Sequence, residues 1–170
     1  MSANVVQLRE KHDGELGGAA SSRDAVRLWL RLLSCTMVIE KRIKRGLADQ
    51  FSTTLPRFDI LAALDRAEAG LTMGALGRAL LVSNGNITGL IQTLIRNGDV
   101  EMAIAPGDRR TAIVTLTEAG RTRFNAMAKA HHGWIEAMFA GMSPAETAQM
   151  LALLDTLKTS IAVAGPETDA

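Results

Sequence analysis

Apolar side chains recur at helical spacing along most of the chain. Val26, Leu30, Leu33 and Met37, continued by Ile43 and Leu47, predict a long amphipathic helix over residues 23–47. Lys41, Arg42, Lys44 and Arg45 cluster near its end, where cations suit the helix dipole. Gly46 and the polar run 49–54 close it. A second helix starts near Leu55, with Thr54 as N-cap and Pro56 in the first turn. Its apolar set is Phe58, Ile60, Leu61 and Leu64, and Gly70 ends it. Thr72 then caps a short helix over residues 73–80. Leu81-Val82 leaves room only for a tight turn before Ser83 caps another helix, residues 84–96, ended by Asn97-Gly98.

The period changes after that. Residues 100–105 alternate weakly, Pro106-Gly107-Asp108-Arg109-Arg110 reads as a turn, and residues 112–116 read as a strand. Together they make one β-hairpin with two arginines at its tip. Thr117 caps a long helix running to about Ala140. Ser143-Pro144-Ala145-Glu146 is a further helix start, with Ser143 as N-cap and Glu146 closing a capping box. The final helix carries Leu151, Leu154, Leu157 and Ile161 and ends before Gly165-Pro166. Residues 1–22 are polar and rich in Gly, Ser and Ala, which predicts an arm, with Asn4 to Lys11 able to hold a short helical piece. The expected class is mainly α with one small β-hairpin.

Composition narrows this picture. With 19 Lys+Arg against 18 Asp+Glu, the chain is neither a polybasic binder nor an acidic tail, though a basic patch on a balanced surface stays open. Aromatic residues are 4% and Tyr is absent, which favours helices built from Ala, Leu and Met. A single cysteine, Cys35, excludes an internal disulfide framework and a Cys-rich zinc site. No long apolar run suggests a signal peptide or a membrane span, so a bacterial cytoplasm is the expected location. No HExxH, GxSxG, Walker loop, CxxC or dinucleotide fingerprint occurs, and the carboxylates are scattered, so no enzyme activity is expected.

The middle segment has a chemistry of its own. A helix fits the DNA major groove, and polar groups in its first turns reach base edges. The helix opening Ser83-Asn84-Gly85-Asn86-Ile87-Thr88-Gly89 offers small donors and acceptors in front, with Gln92 further on. Ile87, Leu90, Ile91, Leu94 and Ile95 form its apolar back. Two glycines in one short helix each cost about 1 kcal/mol relative to Ala, which makes sense where the backbone approaches another surface closely. Its free N–H groups suit a phosphate. Thr72 opens the preceding helix. Arg109 and Arg110 at the hairpin tip suit a narrow minor groove, with Asp108 pairing Arg110 to orient the guanidinium. Read alone, each motif is a solvated cap or turn; in this order they describe a winged helix-turn-helix. Residues 72–116 hold four cations and three anions, a net of +1, whereas residues 23–66 hold nine and five, a net of +4. Some phosphate contacts are therefore expected from outside the winged helix.

Leu55-Pro56-Arg57-Phe58-Asp59-Ile60-Leu61, Leu71-Thr72-Met73-Gly74-Ala75-Leu76, the Leu81 to Thr88 stretch, Gly107-Asp108-Arg109-Arg110 and Val114-Thr115-Leu116-Thr117-Glu118-Ala119-Gly120 resemble the MarR family of winged helix-turn-helix regulators. The resemblance covers about residues 24–162. It implies a homodimer that reads a pseudo-palindromic double-stranded DNA operator. Its first and last helices interlock, and the apolar faces of residues 26–47 and 145–161 agree. The implied organisation is an arm over 1–22, a dimerisation helix and linker over 23–54, a DNA-binding domain over 55–116, dimerisation helices over 117–163 and a tail over 164–170. Most such regulators are repressors released by a small ligand. Two departures stand out: Met102-Ala103 replaces a usual wing arginine, and Ala75 replaces a common capping glutamate.

The resemblance also implies an effector pocket among the first, second and fifth helices. Trp29, Arg31, Arg57, Phe58, His131 and Trp134 occupy matching places. Arginine or histidine would pair with a carboxylate and the aromatic rings would stack, which suits an aromatic acid or its CoA thioester. The bland alternatives are core or dimer packing for the rings, a structural histidine and solvated arginines. Cys35, mid-helix among Leu32, Leu33 and Val38, is expected to be buried and inert, with a redox-responsive regulator as the alternative. His131 and His132 point about 100° apart and do not share a metal, and no cofactor is expected. A winged helix that binds protein rather than DNA is the remaining alternative.

Overall fold

The structure, a computed structural model, describes residues 20–80, 84–105 and 108–164; for residues 20–22, 84–86, 105 and 108–110 the description covers the backbone alone. The expectations placed on Ser83, on Pro106-Gly107 and on the side chains of Asn84, Asn86, Asp108, Arg109 and Arg110 lie outside what is described, as does the N-terminal arm before Ala20. The chain divides into two compact units, one ending at Ser52 and one starting at Thr53.

Among the described residues the first unit is a single helix, α1 (Ala20–Phe51). It runs past Gly46 into the polar stretch 49–54 expected to close it and stops there at Ser52, whose φ of 50° no longer fits a right-handed helix. Ala48 to Phe51 carry no Gly or Pro, so nothing local breaks the helix earlier. Lys44 donates to Glu40 at 2.7 Å and Arg45 to Asp49 at 3.4 Å, surface pairs one turn apart. Ile43 and Leu47 are buried, whereas Leu28, Trp29, Leu30, Leu33, Met37 and Val38 are exposed. Cys35 is exposed too, which corrects the expectation of a buried thiol. Its apolar neighbours Leu33 and Val38 are themselves uncovered within the chain.

The second unit runs α2 (Leu55–Asp65), β1 (Leu71–Thr72), α3 (Met73–Leu80), α4 (Asn84–Arg96), β2 (Val100–Ala105), β3 (Asp108–Leu116), α5 (Glu118–Phe139) and α6 (Pro144–Ala164). Thr54 has the extended backbone of an N-cap, but its side chain makes no cap bond. Its carbonyl instead accepts from the Arg57 and Phe58 amides at 3.1 and 3.0 Å. Helix α2 ends at Asp65 rather than at Gly70, because a turn over residues 66–70 redirects the chain.

Gly70 has a different job from the one expected. Its φ is +78°, and a Cβ there would lie 2.6 Å from the Ile113 and Thr115 methyls and from the Val114 carbonyl oxygen. Only a glycine lets the chain lie flush on β3. Leu71 and Thr72 then pair with Val114 and Ile113, adding a third strand to the expected hairpin. The sheet order is β1-β3-β2, all antiparallel. The β2–β3 ladder is regular from Val100↔Leu116 to Ile104↔Ala112 and slips beyond Ile104.

The core collects Phe58, Ile60, Leu61 and Leu64 from α2, Leu76 from α3, Ile87, Ile91 and Leu94 from α4, Val100 and Val114 from the sheet, and Phe124 and Met127 from α5. All four apolar positions expected in α2 are therefore buried. On α4, residues 87, 91 and 94 fall within about 60° of one another at 100° per residue, so they share one line into the core. Ile95 lies on the flank of that line and is exposed, contrary to expectation.

Helix α6 starts on the expected box. The Ser143 amide donates to the Glu146 carboxylate at 2.8 Å, the Ser143 hydroxyl donates to the same oxygen at 2.7 Å, and the Glu146 amide reaches the hydroxyl at 3.3 Å. These bonds hold the Glu146 carboxyl below the usual glutamate value. No side chain of α6 is buried, and Met150, Leu151, Leu153, Leu154, Ile161 and Val163 are exposed. Among the described residues no helix is long and apolar enough to cross a membrane.

Candidate nucleic-acid interface

Helices α3 and α4 form the helix-turn-helix, and β2 with β3 forms the wing. The Thr72 hydroxyl accepts the Ala75 amide at 3.2 Å, so it caps α3 as its position in the sequence suggested. The same residue belongs to β1, so the entrance of α3 is hydrogen-bonded to the root of the wing.

Helix α4 turns two unlike faces outward and inward. Inward, Ile87, Ile91 and Leu94 are buried to 2% exposure or less. Outward, Thr88, Gly89 and Gln92 are exposed, roughly opposite that line on the helical wheel. A Cβ added at Gly89 would meet nothing within 4 Å. No packing among the described residues asks for glycine there. The backbone is helical from Asn84.

Sequence reasoning missed one member of this face. Arg96 shares the outward side of α4 with Gln92 and is exposed, and its guanidinium donates to the Thr93 hydroxyl at 3.0 Å. That hydroxyl in turn donates to the Gly89 carbonyl at 3.0 Å. The spacing of residues 85, 88, 92 and 96 was available in the sequence, but Arg96 registered there only as a unit of charge.

The far end of α4 is tied to α5. Gly98 has φ +75° and turns the chain out of the helix. The Asp99 amide donates back to the Leu94 carbonyl at 2.9 Å. Thr117 caps α5 by accepting the Gly120 amide at 2.9 Å, and its hydroxyl donates to the Gly98 carbonyl at 2.6 Å. The Thr117 amide donates to the Asp99 carbonyl at 3.2 Å. The Asp99 side chain is buried, and the Arg123 guanidinium holds its two oxygens at 3.3 and 3.1 Å. Arg121 makes a second tie, to Asp65 at the end of α2, at 2.8 Å.

The residues expected to line an effector pocket fall in both units. Trp29, 60% exposed, and Arg31, also exposed, belong to α1. In the second unit, Phe58 stacks on His131 with ring centroids 5.0 Å apart and leans on Phe124 at 5.7 Å. Trp134, half-buried, lies one turn beyond His131 on α5. Arg57, beside Phe58 in sequence, is half-buried, and its Nε is buried with no hydrogen-bond partner among the described residues. A buried donor in that condition is ready for an acceptor from outside the chain.

Known proteins share the fold. A family model described as the MarR family matches residues 51–111. The transcriptional activatory protein BadR of Rhodopseudomonas palustris is 33% identical over 141 residues, covering 79% of this chain and 80% of that protein. A MarR family transcriptional regulator from Silicibacter pomeroyi superimposes with a TM-score of 0.71 at 30% identity, over 85% of this chain and 99% of that one. The apo form of MarR from E. coli shares the fold, with a TM-score of 0.66 at 22% identity over 75% of this chain and 94% of its own.

Proposed function

Because the chain belongs to the MarR family of DNA-binding transcriptional regulators, we propose that it acts as a homodimer that presses two α4 helices into successive major grooves of a pseudo-palindromic operator, represses there, and is released by a small aromatic carboxylate or its CoA thioester. The observation that carries the DNA reading is α4 itself, apolar and buried behind, small, polar and bare in front. In this reading residues 55–116 face DNA, with Ser83, Asn84, Asn86, Thr88 and Gln92 at base edges and Arg109 and Arg110 in the minor groove. Residues 23–54 and 117–163 join the subunits.

Pairing is supported by α6. Its exposed Leu151, Leu153 and Leu154 each stand to gain about 1 kcal/mol or more when covered. In this reading the pair sets its two α4 helices about 34 Å apart, the spacing of successive major grooves on one face of B-DNA. The effector class is supported by the unpartnered Arg57 Nε beside the Phe58–His131 stack. A cation donor next to aromatic rings fits a ring that carries a carboxylate. Activation rather than repression is the second reading, since the R. palustris relative is by name an activatory protein.

The test is a gel shift on a duplex taken from upstream of the protein's own gene, repeated with a panel of aromatic acids and their CoA thioesters. A retarded band that a panel member abolishes supports the whole reading. Failure to retard any duplex at low salt removes it. A promoter-fused reporter gives the sign of regulation. Leu153→Glu with Leu154→Glu, followed by sedimentation, is expected to give monomers; an undisturbed dimer would place the subunit contact elsewhere.

A further inference from the structure

We infer that Asp99 and Arg123 are a positioning pair for DNA reading: they fix the direction in which α4 leaves α5. The inference rests on the reading of α4 as the groove helix. Asp99 follows α4 by three residues and immediately precedes β2, so one residue serves both the helix and the wing. It is 4% exposed. Its backbone is already held on both sides, by the Leu94 carbonyl through its own amide and by the Thr117 amide through its carbonyl. The carboxylate adds a contact from Arg123, six residues past that cap on α5, whose one nitrogen Nη1 lies against both of its oxygens.

A buried ion pair is a poor way to gain stability, because desolvation offsets most of the attraction. An apolar residue at position 99 would serve stability about as well. The Arg123 contact constrains position as well: a single guanidinium nitrogen straddles both carboxylate oxygens, at 3.3 and 3.1 Å, and keeps both only while α5 and the root of β2 hold their present placement. Direction matters because α4 is about 20 Å long and its base-reading residues lie at the end away from the Asp99 joint, so the joint and the core line of Ile87, Ile91 and Leu94 together set their aim. A tilt of about 10° at the joint moves those residues by about 3 Å, several times the tolerance of a hydrogen bond to a base. The Arg121–Asp65 contact, from the same stretch of α5 to the end of α2, is a single and more exposed one, so it adds little to this joint.

The experiment compares the wild type with Asp99→Asn, Arg123→Gln, the double variant and Arg123→Lys. Affinity is read by anisotropy on the own-promoter duplex and on a shuffled duplex of the same length, well below the unfolding temperature. Each single variant is expected to lose about tenfold on the promoter duplex while the shuffled duplex and the salt slope move less than about twofold. The double variant is expected to be no worse than either single one, and Arg123→Lys to recover part of the loss. Equal losses on both duplexes, additive losses, or unchanged promoter affinity would overturn the proposal. A second readout needs no DNA: spin labels at Gln92 and Lys129, in a Cys35→Ser background, report the α4–α5 distance. Its distribution is expected to broaden in Arg123→Gln, and an unchanged distribution would also overturn the proposal. If the wild type failed to prefer its own promoter, the operator reading would fall, and the label distances would still decide the pair. Should Asp99→Asn not fold, the Arg123 variants, at the more exposed partner, make the same comparison.

Discussion

Replacing Gly120 by Ala is a sharp test of the joint between α4 and α5. A Cβ at position 120 would sit 1.8 Å from the Asp99 carbonyl oxygen, 2.6 Å from its carbon and 3.0 Å from its Cα. All three are backbone atoms, so no side chain can swing aside. Ordinary contact requires the two segments to part by about 1.5 Å. That movement takes the bond from the Thr117 amide to Asp99, now 3.2 Å, and the bond from the Thr117 hydroxyl to Gly98, now 2.6 Å, out of range. Overpacking costs about 1–3 kcal/mol, the two lost bonds about 1 kcal/mol each, and the better helix former returns about 1 kcal/mol. The net loss is about 2–4 kcal/mol. Urea unfolding followed by circular dichroism at fixed protein concentration reads it as a midpoint lowered by about 1–2 M. Gly133→Ala is the control. It lies in the same helix with nothing within 4 Å of the added Cβ, and it is expected to gain up to about 1 kcal/mol. A Gly120→Ala variant within about 0.5 kcal/mol of the wild type would refute the close approach of α5 to Asp99.

Three further outcomes are expected. Arg110→Ala should weaken binding to the own-promoter duplex and lower the slope of log affinity against log salt by about one; an unchanged slope would argue against a phosphate or minor-groove role. Arg57→Met should leave stability unchanged or slightly raised, because it removes a buried unpaired donor, while blunting the response to the effector; an intact response would move the acid-binding group elsewhere. The lowered Glu146 carboxyl contributes fully above the ordinary glutamate value, and its contribution is lost as pH falls through the lowered one. Protection of the Ser143 and Glu146 amides, measured against the intrinsic exchange rate at each pH, should therefore fall in acid, and Glu146→Gln should remove that fall; protection that ignores pH in the wild type would count against the cap.

What could be read from the sequence was what depends on near neighbours. Thr72, Thr117 and the Ser143–Glu146 box declared themselves because a cap and its amide are three residues apart. The core line of α4 was legible because a helix repeats it. Strand β1 was not, since two residues become a strand only when β3, more than forty residues on, lies against them. Gly70 was likewise read as a helix stop when its constraint is the surface of β3. The Asp99–Arg123 pair is 24 residues apart and crosses from the wing root to α5, so no local pattern announces it. Cys35 was misjudged for the opposite reason: its apolar neighbours were right, but apolar neighbours bury a thiol only when something covers them.

Helix α6 has one more consequence. A chain just released from the ribosome carries twenty-one residues of helix with no side chain fully buried, a surface that invites aggregation while it stays uncovered. In the proposed dimer, chains made side by side on one polysome would find cover soonest. Below the pairing constant the amount of that dimer would rise as the square of the amount made, so gene dosage would be felt more steeply than in proportion.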